Sequence, residues 1–287
     1  MITFVLLFFS SDHLSNLKIR MIIVRILGGL GNQMFQYAYA KALSLDGYNV
    51  KLDLSKIKKY KLHGGYQLDK YKIDLEIADS FSILLGEIGI KKSKKEKSLL
   101  FDDNLKSLKG NEYVKGYFQT EKYFKEIRNI LLSEFVINQK ISSETHKVAE
   151  QIKSLKNSCS LHIRRGDYVS DKKTNSVHGT CDLDYYKRAI NIMNSKYLNI
   201  PIFVFSDDIS WTKENLKIKN AFYVDLKTIP HEDMYLMSLC KNNITANSSF
   251  SWWGAWLNKN ETKTIIAPKK WYINKKNEIA AKNWLKI

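Results

Sequence analysis

Apolar positions along this chain switch repeatedly between unbroken β-branched runs and helical spacing. Ile22 to Leu27 (IIVRIL) reads as a buried strand that stops at Gly28-Gly29. Met34, Phe35, Ala38, Ala42 and Leu45 recur at helical spacing, which predicts a helix over Gln33 to Leu45 closed by Gly47. Tyr48 to Leu54 then alternates as a strand. A strand, loop, helix and strand in this order open an α/β domain with a parallel sheet.

The middle of the chain is less periodic. Residues 55–110 are Lys-rich, with short helical stretches such as Ile77 to Leu85, and longer helices are predicted over Thr120 to Phe135 and Ser143 to Leu155. From Ser158 the alternation restarts. Strands are predicted at Ser158 to Ile163, Ile202 to Phe205, Ala221 to Val224, Asn243 to Ala246 and Thr264 to Ala267. Helices are predicted between them at Asp184 to Tyr197, Glu232 to Lys241 and Phe250 to Asn258. No repeat at a fixed period is visible. Two α/β units joined near residues 140–155 predict domains over 21–150 and 151–287 with a cleft between them. Ligands of such sheets bind beyond the carboxyl ends of the strands.

The 287 residues, 44 % hydrophobic and 12 % aromatic, suffice for a large core, and 3 Pro with 13 Gly argue against a disordered or collagen-like chain. The net charge of +17 favours anionic partners: nucleic acid, anionic lipid or a phosphorylated substrate. The lysines are scattered, and the densest run, Lys91 to Lys97, reads first as a solvated surface and second as an attractor of substrate or membrane. Cys159, Cys181 and Cys240 are odd in number and widely spaced, against a disulfide framework or zinc site and in keeping with a reducing compartment. Ile2 to Phe9 is apolar but too short to span a bilayer, and no positive charge precedes it as in a signal peptide. Residues 1–20 are therefore expected to be an upstream extension before a restart at Met21, with a weak interfacial anchor as the alternative.

Candidate chemistry concentrates in three segments. Gly28-Gly29-Leu30-Gly31-Asn32-Gln33 is a Gly-rich turn between strand and helix, either purely structural or one that lets backbone approach a ligand. It matches neither the dinucleotide fingerprint nor a P-loop. His162-Ile163-Arg164-Arg165-Gly166-Asp167-Tyr168 leaves a predicted strand. Two adjacent arginines there suit a diphosphate, whose oxygens match the guanidinium fork; the competing reading is a salt-bridge pair with Asp167. Asn247-Ser248-Ser249-Phe250 opens a helix, where hydroxyls and free N–H groups cap it and also suit a phosphate. The following Trp252, Trp253 and Trp256 read as core rather than as a sugar platform, and Phe250, Trp253, Gly254 and Leu257 as the buried helix face. Asp182-Leu183-Asp184 has the D-x-D form of metal-dependent glycosyltransferases but sits where an aspartate caps a helix, and the cap is the expectation. Ser206-Asp207-Asp208 reads as a turn after a strand. Asp225, at the end of another, could accept a base-edge hydrogen bond. The histidines show no metal-ligand spacing.

Together, GGLGNQMFQYAYAKAL from Gly28, HIRRGDYV from His162 and NNITANSSFSWWGAWL from Asn242 resemble the α-1,2-fucosyltransferase family. CDLDYYKRAI and PHEDMYLMS add to the resemblance, which runs from Met21 nearly to the C-terminus; residues 1–20 are expected to have no counterpart. The resemblance implies a GT-B fold, two Rossmann-like domains facing a cleft. It implies GDP-β-L-fucose as donor, a terminal β-galactoside as acceptor, and inversion to an α-1,2 linkage without a metal or other cofactor. GDP would bind the C-terminal half and the acceptor the N-terminal half. Arg164 would stabilise charge on the leaving diphosphate. His162 and Asp225 would contact guanine, and Arg165, Ser248, Ser249 and the Phe250 N–H the phosphates, with Gly29 and Gly31 close to the donor. Asn32 would position a reactant. Asp167 is the candidate general base, or only orients the arginines.

Two rival functions are weighed. A nucleic-acid-binding protein would account for the charge, but requires a clustered basic stripe or a binding motif, and neither is visible. A catalytically dead glycan-binding relative has no need of His162, Arg164 and Arg165 together. A transferase using another GDP-sugar stays open within the family reading. The expected location is the cytoplasm, with peripheral attachment to the anionic inner leaflet allowed by the charge.

Overall fold

The computed structural model describes residues 21–57, 64–226 and 230–287. Residues 1–20, the expected extension, lie outside these. The fully buried Ile22, Ile23 and Val24 form β1 (Met21–Arg25), which pairs in parallel with β2 (Asn49–Asp53). Between them runs α1 (Leu30–Leu45), ended by Gly47 at φ +91°. The first sheet is completed by β3 (Lys92–Lys95) and β4 (Glu112–Lys115), giving the four-stranded parallel order β2-β1-β4-β3. Neither β3 nor β4 was visible in the periodicity. The sequence of β3 is KSKK, a mostly exposed edge strand without an apolar face.

The second half builds a six-stranded parallel sheet of order β10-β9-β8-β5-β6-β7. Its strands are β5 (Cys159–Ile163), β6 (Ile202–Ser206), β7 (Ala221–Tyr223), β8 (Asn242–Ile244), β9 (Ile265–Ala267) and the short β10 (Leu285–Lys286). The connecting helices include α8 (Leu183–Tyr197), α10 (Pro230–Leu239) and α11 (Ser249–Trp256), close to expectation. In chain order the others are α2 (Ser80–Glu87), α3 (Asp103–Lys106), α4 (Arg128–Glu134), α5 (Ser143–Ser154), α6 (Gly166–Ser170), α7 (Lys172–His178) and α9 (Ile209–Asn215).

One expected helix fails. Thr120 to Phe135 breaks into 3-10 turns at Glu121–Tyr123 and Lys125–Ile127 before α4. Phe124 leaves helical geometry at φ −145°, ψ 5°. The cause is tertiary: the Phe124 ring is buried and stacks on Trp253 at 5.5 Å, a contact that a continuous helix does not require and that outweighs local propensity.

The halves share one core. α1 is buried on nearly every face, wedged between the first sheet and α11. Phe35 of α1 packs on Trp252 and Trp253 of α11, with ring centroids 4.5 and 5.1 Å apart. Trp252, Trp253 and Trp256 are all core residues, as expected. A second cluster lies between β5, β6 and α8. Among the described residues no helix is long and apolar enough to cross a membrane.

Candidate active site

Because α1 and α11 pack together, their N-termini lie side by side at the mouth of a cleft. The cleft has a volume of about 970 Å³ and is lined by residues from both halves. Gly31, in the first turn of α1, makes the close approach possible: a Cβ there would lie 2.5 Å from the Ser249 carbonyl carbon and 2.6 Å from the Phe250 nitrogen. Gly28 precedes it at φ +93°, a left-handed turn that only glycine adopts without strain. The Gly-rich segment thus serves close packing as well as lining the cleft with Gly28, Gly29 and Gly31.

β5 delivers the cationic end. His162 lies on the strand, is buried, and faces the cleft beside Phe250 at 5.6 Å between rings. Its Nδ1 is buried without a hydrogen-bond partner. Burial, aided by the neighbouring Arg164 guanidinium, pushes its pKa down to about 3, so the ring is neutral near pH 7. Arg164 follows at the strand's carboxyl end and lines the cleft. Its Nη1 pairs with Asp207 Oδ2 at 2.7 Å, and its guanidinium carbon lies 5.5 Å from the centre of the Tyr168 ring.

Arg165 does not join it in the cleft lining. Its guanidinium stacks on Trp211 at 3.6 Å and its Nε contacts Asp208 at 3.3 Å, while its backbone N–H donates to Asp207 Oδ1 at 2.8 Å. Asp207 and Asp208, read in the sequence as a turn, are therefore the carboxylates that set the two arginines. Gly166 leaves Asp207 its room, since a Cβ there would lie 2.6 Å from Oδ2. Asp167 is in α6, but its side chain lies outside the described groups.

Ser248 caps α11, its Oγ accepting from the Phe250 N–H at 3.3 Å. Ser248, Ser249 and Phe250 all line the cleft. Phe250 is half-buried at this edge and not fully on the core face as expected. Asn247 braces the loop before the helix, donating from its amide to the carbonyls of His178 and Gly179 at 3.0 and 3.1 Å. Asp225 is exposed after β7 and is not among the residues that line the cleft.

Asn32 opens a polar relay that sequence reasoning missed. Its Oδ1 accepts from Gln119 Nε2 at 2.7 Å, and Gln119 Oε1 accepts from the Tyr272 hydroxyl at 2.9 Å. The relay spans the cleft from the first half to the last. His178 extends the wall, its ring 4.8 Å from Tyr168 and 4.7 Å from Tyr272. Nothing in the local pattern around Gln119 or Tyr272 marked them.

Asp182 accepts from the Tyr185 N–H at 2.6 Å and caps α8, the role expected for the D-x-D segment. Among the described residues no group of three His, Cys, Asp or Glu side chains is placed to hold a metal ion.

A sheet-helix cleft carrying an arginine, an unpartnered imidazole nitrogen and a helix N-terminus can hold a phosphorylated ligand and stabilise charge that develops on it. The family model for Glycosyl transferase family 11 matches residues 2–287, a range that takes in residues 2–20, against the expectation that this segment has no counterpart. The chain is 39 % identical to the alpha-1,2-colitosyltransferase of Escherichia coli, over 88 % of this chain and 92 % of that protein. It is 32 % identical to the O-antigen biosynthesis glycosyltransferase WbnK of Escherichia coli, over 91 % of this chain and 98 % of the relative. Galactoside alpha-(1,2)-fucosyltransferase 2 of Pongo pygmaeus is 23 % identical, over 83 % of this chain and 69 % of its own length. Among solved structures, the fucosyltransferase NodZ from Bradyrhizobium superposes with a TM-score of 0.55 at 14 % identity, covering 83 % of this chain and 93 % of that one. The shared architecture is the α/β GT-B fold. With the family model matched along nearly its whole length, this chain belongs to glycosyl transferase family 11.

Proposed function

We propose that this glycosyltransferase moves L-fucose from GDP-β-L-fucose to O2 of a terminal β-galactoside, inverting the anomeric centre to an α-1,2 linkage. The observation that carries the reading is the convergence of Arg164, His162 and the α11 N-terminus on one cleft with Asn32 from the opposite half. The α-1,2 linkage in the names of two relatives supports the regiochemistry. The O-antigen role of another supports an acceptor that is a bacterial surface glycan or its precursor.

Charge dictates the mechanism. As the bond from C1 to the β-phosphate oxygen breaks, its electron pair stays with GDP and the sugar becomes oxocarbenium-like. Galactose O2 forms the new bond on the opposite face and loses its proton to a base, for which Asp167 is the candidate. Arg164, already oriented by Asp207, stabilises the growing phosphate charge without reorganisation, so that no metal is needed. The neutral His162 supplies a hydrogen-bonding edge for the nucleotide. Asn32, fixed through Gln119, positions a reactant. The reading leaves Arg165 to hold the Arg164 segment and not to contact phosphate. The net charge of +17 supports a place in the cytoplasm beside the anionic inner leaflet.

A second donor is favoured by one observation: the relative at 39 % identity is a colitosyltransferase. GDP-colitose is therefore the alternative to GDP-fucose. The test is GDP release with lactose and EDTA present, comparing GDP-fucose, GDP-colitose and GDP-mannose. Release from GDP-fucose, with the new sugar on galactose O2, is expected. Faster release from GDP-colitose would reassign the donor, and GDP failing to bind at all would overturn the site.

A further inference from the structure

The Lys-rich run near residue 95 lines a second pocket, of about 530 Å³, beside the cleft. The two share Leu99, Tyr117 and Lys275, so the pocket opens along the wall on the side of the first sheet. Arg25, Lys95, Lys97, Lys115, Lys275 and Lys276 all line it. Glu96 is the only carboxylate in that lining, and it is engaged elsewhere: its oxygens accept from the backbone N–H groups of Tyr117 at 2.7 Å and Phe118 at 3.1 Å.

Strand register shows that part of this charge is built into the sheet. Lys95 and Lys115 are direct partners across β3 and β4. Val24 pairs with Val114, so the next residue of each strand sets Arg25 beside Lys115. Three cations thus stand in a row at the carboxyl ends of three adjacent strands, the edge at which open α/β sheets bind ligands. Like charges on neighbouring strands repel, and that arrangement weakens the sheet unless an anion bridges them. A solvated lysine face would be expected to scatter its cations among carboxylates; here no ion pair to any of the six is found among the described residues. Arg25 has Asp53 as its strand neighbour on the other side, and Lys115 and Lys275 lie 4.8 and 5.7 Å from the ring centres of Tyr113 and Tyr272, but among the described residues none of the six is neutralised by an ion pair.

We propose that this pocket binds an anionic group on the acceptor, a carboxylate or a phosphoryl group located beyond the galactose that receives the sugar. The inference rests on the proposed transfer reaction, because it takes the adjoining cleft as the place where that galactose sits. A carboxylate would come from an acidic sugar within the glycan, and a phosphoryl group from the linkage to a carrier. Both are recognised by the same lysine and arginine chemistry.

Equilibrium binding tests this with GDP present and without turnover. Three β-galactosides share the galactose and differ only in the aglycone: neutral, carboxylated or phosphorylated. The expected result is at least tenfold tighter binding of one anionic form than of the neutral one, with the gain fading as salt is raised. Which anion gains more identifies the source. The double variant Lys95→Gln, Lys115→Gln should abolish the gain while leaving neutral-acceptor and GDP binding unchanged. Equal affinity for all three acceptors would overturn the proposal, as would a gain that survives the double variant. Because binding is read apart from transfer, an anionic preference without fucosyl transfer would sink the proposed reaction and leave the pocket standing.

Discussion

The Trp253 indole N–H donates to the Gly31 carbonyl at 3.0 Å, joining the first turn of α1 to the middle of α11. The bond runs between helices from opposite halves of the chain, and it lies where their N-termini meet the cleft. Indole donor and glycine spacer together fix the separation of the two helices.

Gly31→Ala is expected to force that separation open. The new methyl would press on the backbone of Ser249 and Phe250, which cannot rotate away as a side chain could. Overpacking of this kind costs about 1–3 kcal/mol. Thermal unfolding should show a Tm lowered by several degrees, and GDP affinity should fall with it. An unchanged Tm would mean that the helices are not held at this distance in solution.

The two arginines should part company under mutation. Arg164→Ala is expected to reduce turnover by about 10²–10³-fold, the scale of losing one preorganised charge stabiliser, with the fold intact. Arg165→Ala should instead lose stability, roughly 0.5–2 kcal/mol from the stacking on Trp211, with a smaller effect on turnover. Parallel measurement of kcat and Tm separates them. A larger kcat loss in Arg165→Ala would place that residue on the phosphate.

This division was not legible in the sequence, whereas the location was. β1 with its Gly turn, β5 with its arginines and α11 with its serine cap are segments where period, composition and turn chemistry agree, so their position could be read directly. The KSKK edge strand has no apolar face to read. The break at Phe124 is decided by Trp253, far along the chain. Asp207 and Gln119 owe their roles to contacts across the fold, the latter to Asn32 at 87 residues' separation. Local pattern carries no trace of such pairs.

Acid should destabilise the protein through His162. Its folded pKa, near 3, lies below the ordinary value of 6.5, so the unfolded chain binds more protons between those limits. Stability is therefore full above pH 6.5 and declines as pH falls toward 3, by up to about 1.4 kcal/mol per pH unit. His231, also lowered by burial, acts in the same direction. Urea unfolding at pH 5 and 7 should show the loss, and His162→Phe should remove the part due to one proton. An identical pH dependence in that variant would show that His162 titrates normally.

Gln119→Leu should break the relay while keeping the volume near that of the native side chain. Asn32 then loses its partner at 2.7 Å and the Tyr272 hydroxyl its acceptor at 2.9 Å. Misplacement of a positioning group by about 1 Å can cost 10²-fold in rate. The expected effect is a fall in kcat of about 10–100-fold with GDP affinity preserved. A variant with normal kcat would confine Gln119 to structure.

Asp182 distinguishes a helix cap from a metal ligand. As a cap, its carboxylate is needed only to accept the Tyr185 N–H, which asparagine or serine can also do. Asp182→Ala should then cost about 0.5–2 kcal/mol of stability, while Asp182→Asn restores most of it, and both remain active with EDTA present. A metal ligand would behave in the opposite way. Asp182→Asn would lose activity with its Tm unchanged, and EDTA would silence the native enzyme. Because the cap bond ties Asp182 to the start of α8, and Arg164 already faces the cleft with its own carboxylate partner, the first pattern is the expected one.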